Sequence, residues 1–225
     1  MVVLGRTFAE CRRRGKKIMS ITIGRPESDL KLGCSNCNPP GIGLLQLIRE
    51  DLVTHEGHWS SQGFLALAVH RFGQWRMGLR WKVLRAPCTL LYRILYRGVE
   101  CYAGISLPQT TQIGRRVHLW HHGGMILMPI SIGDDVHLRQ NTTLGVAHRN
   151  DARWLKPVLE DRVDVGAGAV IVGNICIGHD SVVGANAVVL KSVPPWSLAV
   201  GVPAIIKPRK DAPANFAQHP ANIPG

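Results

Sequence analysis

Apolar residues recur along this chain with two different periods, and the change from one to the other falls between Gly104 and Ile113. From Gly41 to Gly104 they return every three or four residues. In "GLLQLIREDLV" the side chains of Leu44, Leu45, Leu47, Ile48 and Leu52 share one broad helical face. "GFLALAVHRFGQW" and "PCTLLYRILYRGVECY" repeat the pattern. Pro87 and the glycines at 57, 63, 73 and 104 are expected to punctuate these helices.

From Ile113 the period becomes six. Ile132, Leu138 and Leu144 are six apart, and Leu159, Val165, Ile171, Ile177, Val183 and Val189 keep the same step. The residues four places on, Val163, Ala169, Ile175, Ser181, Ala187 and Val193, are mostly small or β-branched. A helix gives a period near 3.6 and a half-buried strand gives two, so neither explains this repeat. Six, with glycine after the aliphatic residue in "IGDDVH", "VGAGAV", "IGHDSV" and "VGANAV", fits a short strand and a tight corner repeated. Three such units close one triangular coil, and stacked coils bury a continuous aliphatic ladder. The expected class is α+β: an N-terminal helical segment followed by a parallel β-helix of hexapeptide repeats.

The ladder is interrupted twice. In "LWHHGGMI" Leu119 and Ile126 are seven apart, and "GVAHRNDARWLKP", Gly145 to Pro157, is a polar excursion without a ladder residue. Excursions project from one face of a solenoid and often build its binding site. "HHGG" has the chemistry to activate an alcohol. A neutral imidazole accepts a hydroxyl proton near pH 7. Backbone N–H groups stabilise the oxyanion of an attacked thioester, and glycine lets ligand and backbone approach closely.

With these motifs the chain resembles the serine acetyltransferases among the left-handed β-helix acyltransferases. The likeness runs from about Glu50 to Ile206 and rests on "IGRRVHLWHH", "IGDDVHLRQNTTLG", "PVLEDRVDVGAGAVIVGNICIG" and "VGANAVVLKSVPPWSLAVGVPA". "GFLALAVHRFGQW" matches the end of that family's helical domain. The resemblance implies a left-handed coil, a homotrimer or dimer of trimers with sites between neighbouring subunits, acetyl-CoA as co-substrate, and no metal. It places the general base on His121; His122 beside it is either a substrate contact or a packed or solvent-exposed residue. It also places backbone contacts to coenzyme A at Gly145, Gly166, Ala167, Gly184 and Ala185. Lys191, Lys207 and Arg209 are candidates for the phosphates.

On the acceptor side the family pattern is altered. The carboxylate partner of the base falls on Ser106, and the aspartate before the base is Trp120. An Arg-His pair before the excursion's proline reads Leu155-Lys156. Asp51 matches an acidic residue that the family uses on its amino-acid acceptor. Arg153 or Lys156 would replace the missing arginine, and lysine offers a point charge where arginine offers a two-pronged grip. Trp120 adds a flat apolar face that suits the C–H side of a sugar ring. The acceptor is therefore L-serine or, in a surface-polysaccharide branch, a sugar hydroxyl. The family's partner enzyme, cysteine synthase, grips a C-terminal isoleucine; this chain ends "NIPG", which argues against that complex.

Composition changes this picture little. The 225 residues, 45% hydrophobic, are enough for one large domain or two small ones. No run approaches the roughly 20 apolar residues of a membrane helix. The short apolar start followed by a basic cluster is the reverse of a secretory signal. The expected layout is a basic disordered extension over 1–40, a helical domain over 41–104, the β-helix over 105–206 and a flexible tail over 207–225. Cys34 and Cys37 form a C-x-x-C without the further ligands of a zinc site, and reduced thiols fit the cytoplasm.

Charge is informative because it is uneven. The net +12 divides into +9 over residues 1–104 (16 basic, 7 acidic) and +3 over residues 105–225 (11 basic, 8 acidic). No nucleic-acid motif accompanies it. Helices carrying Arg71, Arg76, Arg80, Lys82, Arg85, Arg93 and Arg97 form either a solvated face or a peripheral contact with a membrane. Two other functions share the fold. One is a zinc lyase of carbonic-anhydrase type, with His118, His121 and His122 as candidate ligands; the other is a non-catalytic trimeric scaffold.

Overall fold

The computed structural model describes residues 36–152 and 155–213. Cys34, Arg153, the extension up to residue 35 and the tail from residue 214 lie outside the described residues.

The helical part comprises α1 (Leu44–Thr54), α2 (Gln62–Trp75) and α3 (Lys82–Ala103), with a short 3-10 turn, Arg76–Gly78, between the last two. α2 is the central helix and packs against both others. Gly63, Gly73 and Pro87 lie inside helices and do not end them. A Cβ on Gly73 would strike the Tyr92 ring of α3, so this glycine lets two helices approach closely. Pro87 sits in the second turn of α3, where it removes only the hydrogen bond to the Val83 carbonyl. Gly104, at φ +63°, does end α3, in the left-handed conformation that glycine tolerates.

Beyond Gly104, strands of two to four residues stack into three sheets, one for each side of the coil. Leu159 pairs with Ile177, Val165 with Val183 and Ile171 with Val189, so one full coil is 18 residues. Apart from Ile126, the ladder residues anticipated from the sequence, Ile113 through Val189, are at most 3% exposed. Pairing is parallel except at the end, where Ile205–Pro208 folds back antiparallel on Ser197–Val200. Regular structure thus runs two residues into the expected tail.

Both interruptions register as added residues. Leu144 pairs with Ile171, 27 residues on, so the excursion adds nine to the 18-residue coil. Leu119 pairs with Leu138, 19 residues on, a net addition of one. After that break the ladder residue is Leu127, which is fully buried and pairs with Leu144, whereas Ile126 is 45% exposed. Strand side chains alternate, so a slip of one residue sends Ile126 outward and Leu127 in.

A polar face of α2 joins the helices to the mouth of the coil. The Arg71 guanidinium donates to the carbonyls of Ile113 (2.8 Å) and Gly114 (2.6 Å), and its Nε meets Asp51 Oδ2 of α1 at 2.9 Å. His70 Nε2 donates to the Thr111 carbonyl at 3.0 Å, and Gln74 Nε2 to the same oxygen at 2.7 Å. Burial, helped by the adjacent Arg71 charge, lowers the His70 pKa to about 3. Arg76 is buried too, with its guanidinium 4.5 Å over the Tyr92 ring. Arg71 and Arg76 therefore leave the expected cationic surface. Each finds carbonyl, carboxylate or aromatic partners that replace its water.

Candidate active site

The site begins where the strand His118–Leu119 ends. In ordinary corners of this coil two residues separate the ladder residue from a left-handed one: Leu138 from Asn141, Val165 from Gly168, Val183 from Asn186. Between Leu119 and the left-handed Gly124 there are four. Two contacts fix the correspondence. A Cβ on Gly124 would strike the Asn141 side chain, as one on Gly168 would strike Asn186. The Asn141 N–H donates to the Gly123 carbonyl, as the Asn186 N–H donates to that of Ala167. Trp120 and Gly123 hold the ordinary corner places, and His121-His122 is a two-residue insertion.

The insertion bends the backbone into a costly region. His121 has φ +60°, and Gly123 and Gly124 have φ +93° and +65°. A left-handed conformation costs a non-glycine residue about 1–2 kcal/mol. Both imidazoles are exposed, and neither has a hydrogen-bonding partner among the described residues. With Trp120 they line a cleft of about 460 Å³, completed by the α1–α2 turn from His55 to Gln62 and by Tyr102 of α3.

Beside the corner, aromatic rings hold Trp120. Its indole lies on the His118 ring with centres 3.8 Å and planes 10° apart, and its Nε1 donates to His137 Nδ1 at 2.8 Å. His55 lies on the other side, its ring centre 4.5 Å from that of His118 and tilted by 48°. The neighbours of His55 set its tautomer: Nδ1 donates to the Asp51 carbonyl (2.7 Å) and Nε2 accepts the Leu119 N–H (3.3 Å). Burial lowers the pKa of His55 and takes that of His118 to about 4, with His55 and His137 adding to the effect on His118. Both rings are neutral at pH 7, and His118 is the packing surface for the tryptophan.

Other expected site residues are dispersed. Asp51 is fully buried with its carboxylate on Arg71; burial raises its pKa while the arginine opposes the rise. Meeting an acceptor ammonium would require breaking that pair. Ser106 Oγ donates to Glu100 Oε1 at 3.1 Å and lies 3.1 Å from the Tyr96 hydroxyl, in a separate hollow that Gly124 also lines. The strand thus presents a hydroxyl that answers a carboxylate from α3. Lys156 is half-buried beside the excursion's proline.

The residues assigned to coenzyme A lie along successive coils. Gly145 ends the strand Thr143–Gly145, and Gly166, Ala167, Gly184 and Ala185 occupy the corners after Val165 and Val183. A Cβ on Gly145 would meet nothing within 4 Å, so its backbone faces open space. Gly166 has a different reason to be glycine, since a Cβ there would strike the Ala185 backbone. Lys191 and Lys207 are exposed. Arg209 is engaged internally, donating to the Asp180 carbonyl at 2.8 Å and pairing with Asp211.

Sequence reasoning missed His55, Tyr102 and the α1–α2 turn as parts of the cleft. The signal available was the His- and Ser-rich run "HEGHWSS" between two amphipathic segments. His118, one of the three candidate zinc ligands, is 8% exposed and lies between the rings of His55 and Trp120. Among the described residues no group of three or more His, Cys, Asp or Glu side chains is arranged to hold a metal ion.

No protein-family model matches the chain. A serine acetyltransferase of Salmonella typhimurium is 35% identical over 162 residues, covering 70% of this chain and 56% of its own. One of Mycobacterium tuberculosis is 37% identical over 142 residues, covering 63% and 58%. The chain thus spans somewhat more than half the length of these curated relatives. Among solved structures, the soybean serine acetyltransferase apoenzyme matches with a TM-score of 0.60 at 29% identity, covering 73% of this chain and 69% of that one.

Proposed function

Because the chain belongs to the serine acetyltransferase family of left-handed β-helix acyltransferases, we propose that it moves an acetyl group from acetyl-CoA to a hydroxyl acceptor, with His121 as general base. The observation that carries this reading is the inserted His121-His122 corner. It disturbs an otherwise regular ladder, strains the backbone at His121, and presents both imidazoles to a cleft.

The acceptor hydroxyl gives its proton to the His121 imidazole while its oxygen attacks the thioester carbonyl. The new C–O bond makes a tetrahedral oxyanion, whose collapse breaks the C–S bond. The imidazolium then returns the proton to the departing thiolate, leaving an acetyl ester and coenzyme A. Open backbone at Gly145, the exposed corner at Ala185 and the Lys191 ammonium support a coenzyme site along the coil. We take the functional unit to be a trimer, which light scattering would test.

Two features support a sugar hydroxyl over L-serine as acceptor. Asp51 is committed to Arg71, and Trp120 is held beside the base as an aromatic surface. The experiment is acetyl-CoA consumption by the full chain and by His121→Ala, with L-serine and a panel of sugars and sugar nucleotides. The variant should lose roughly 10²–10⁴-fold in rate, the usual contribution of a positioned acid–base group. Undiminished turnover would remove His121 from its role. Efficient serine acetylation with no sugar activity would restore serine as acceptor.

A further inference from the structure

α3 carries a second amphipathic signal that acetyl transfer does not use. One side of this 22-residue helix packs into the protein through Tyr92 and Ala103. The opposite side bears Val83, Leu84, Leu90, Leu91, Ile94 and Leu95, which are between 40% and 82% exposed. Their spacing follows the helical repeat, so they form one stripe along most of a rod about 33 Å long. Apolar stripes of that length are rarely left to water.

The rim of the stripe indicates what covers it. Arg93 and Arg97, one turn apart, are exposed along one edge, and Arg80 and the exposed Trp81 lie just before the helix begins. The helix contains a single carboxylate, Glu100, which Arg97 and Ser106 already hold. Two copies packed through this stripe would bring arginine edges together without carboxylates to answer them. An anionic lipid surface answers them directly: headgroups meet the arginines, the apolar stripe enters the acyl boundary, and tryptophan prefers that interface. No helix among the described residues is long and apolar enough to cross a membrane, so α3 would lie flat. We propose that this face of α3 docks on an anionic phospholipid surface. The docking is independent of the acetyl-transfer reading.

The test is co-sedimentation of the full chain with vesicles of phosphatidylglycerol and phosphatidylcholine, compared with phosphatidylcholine alone. The parent should bind the anionic vesicles at least tenfold more tightly, and less so as salt is raised. Arg93→Gln should weaken binding about fivefold. Leu90→Ser with Ile94→Ser should weaken it by roughly tenfold or more. These positions are exposed, so an unchanged thermal melt should accompany the loss. The basic run from Arg12 to Lys17 could also draw the chain to anionic vesicles. If both α3 variants bind like the parent, that run is responsible and the proposal fails. It fails equally if the parent ignores both vesicle types. If the serine variant then also has a smaller mass by light scattering, the stripe is an interface between copies.

Discussion

The joint between α2 and the coil and the His121 corner both gather polar side chains, His70, Arg71 and Gln74 at one and His121 and His122 at the other, yet they solve opposite problems. At the joint, His70, Arg71 and Gln74 are buried and aimed at carbonyls between Gln109 and Gly114. At the corner two imidazoles stand in solvent on a strained backbone. Sealed polar groups contribute stability and rigidity only while every partner is present. Exposed groups on a bent backbone contribute none, but they can meet a substrate. The contrast separates residues that hold the molecule together from residues it presents to solvent.

The sharpest way to break this division is His121→Gly. Acetyl transfer should fall roughly 10²–10⁴-fold, while thermal unfolding should show about 1 kcal/mol of added stability as the left-handed strain is relieved. A loss of stability would mean that the imidazole has a structural contact. At the joint, Arg71→Met should do the reverse. Stranding Asp51 without its partner should cost about 3–5 kcal/mol, or roughly 10 °C in melting temperature. Activity per folded molecule should survive.

Acid tests the joint differently. A histidine whose folded pKa lies near 3, against 6.5 unfolded, takes its proton more readily when unfolded. The His70 contribution is therefore complete above pH 6.5 and is lost as the pH falls toward 3. At pH 5 the loss is about 2 kcal/mol. His118 and His55, whose pKa values are also lowered by burial, add loss in the same direction. Denaturant melts between pH 7.5 and 5 would show it, and His70→Gln should flatten the profile. Smaller effects belong to the corner's margins. His122→Ala should lower the rate by less than about tenfold. Ser106→Asp would set a second carboxylate against Glu100, costing about 1 kcal/mol of stability and leaving the rate within about threefold.

Much of this was legible in the sequence. Residues such as Val165, Ile171 and Val183 announce the coil because a six-residue step has one structural solution, and the burial of each follows from that step. The break at His121 was legible as a broken period, but its size was not. Ile126 stood in for Leu127 because both are aliphatic and only the strand pairing distinguishes them. The fate of Arg71 was hidden for a different reason. Its partners are a carboxylate 20 positions earlier and two main-chain carbonyls 42 and 43 positions later, and no local pattern signals main-chain acceptors. The ring cluster of His55, His118 and Trp120 was likewise invisible, since it joins a helix end to a strand end.

The 18-residue coil that runs from Leu159 to Val189 acts as a ruler. Because each rung is measured against the one before it, surplus residues have nowhere to go but outward, and the rungs on either side never learn of them. Lengthening such a bulge is also thermodynamically gentle, at about 0.6 kcal/mol for each doubling of a flexible loop. The chain can therefore be edited at His121-His122 or within Gly145–Pro157 as text is edited in a margin. Surplus length at those two places leaves the ladder of aliphatic residues as it was.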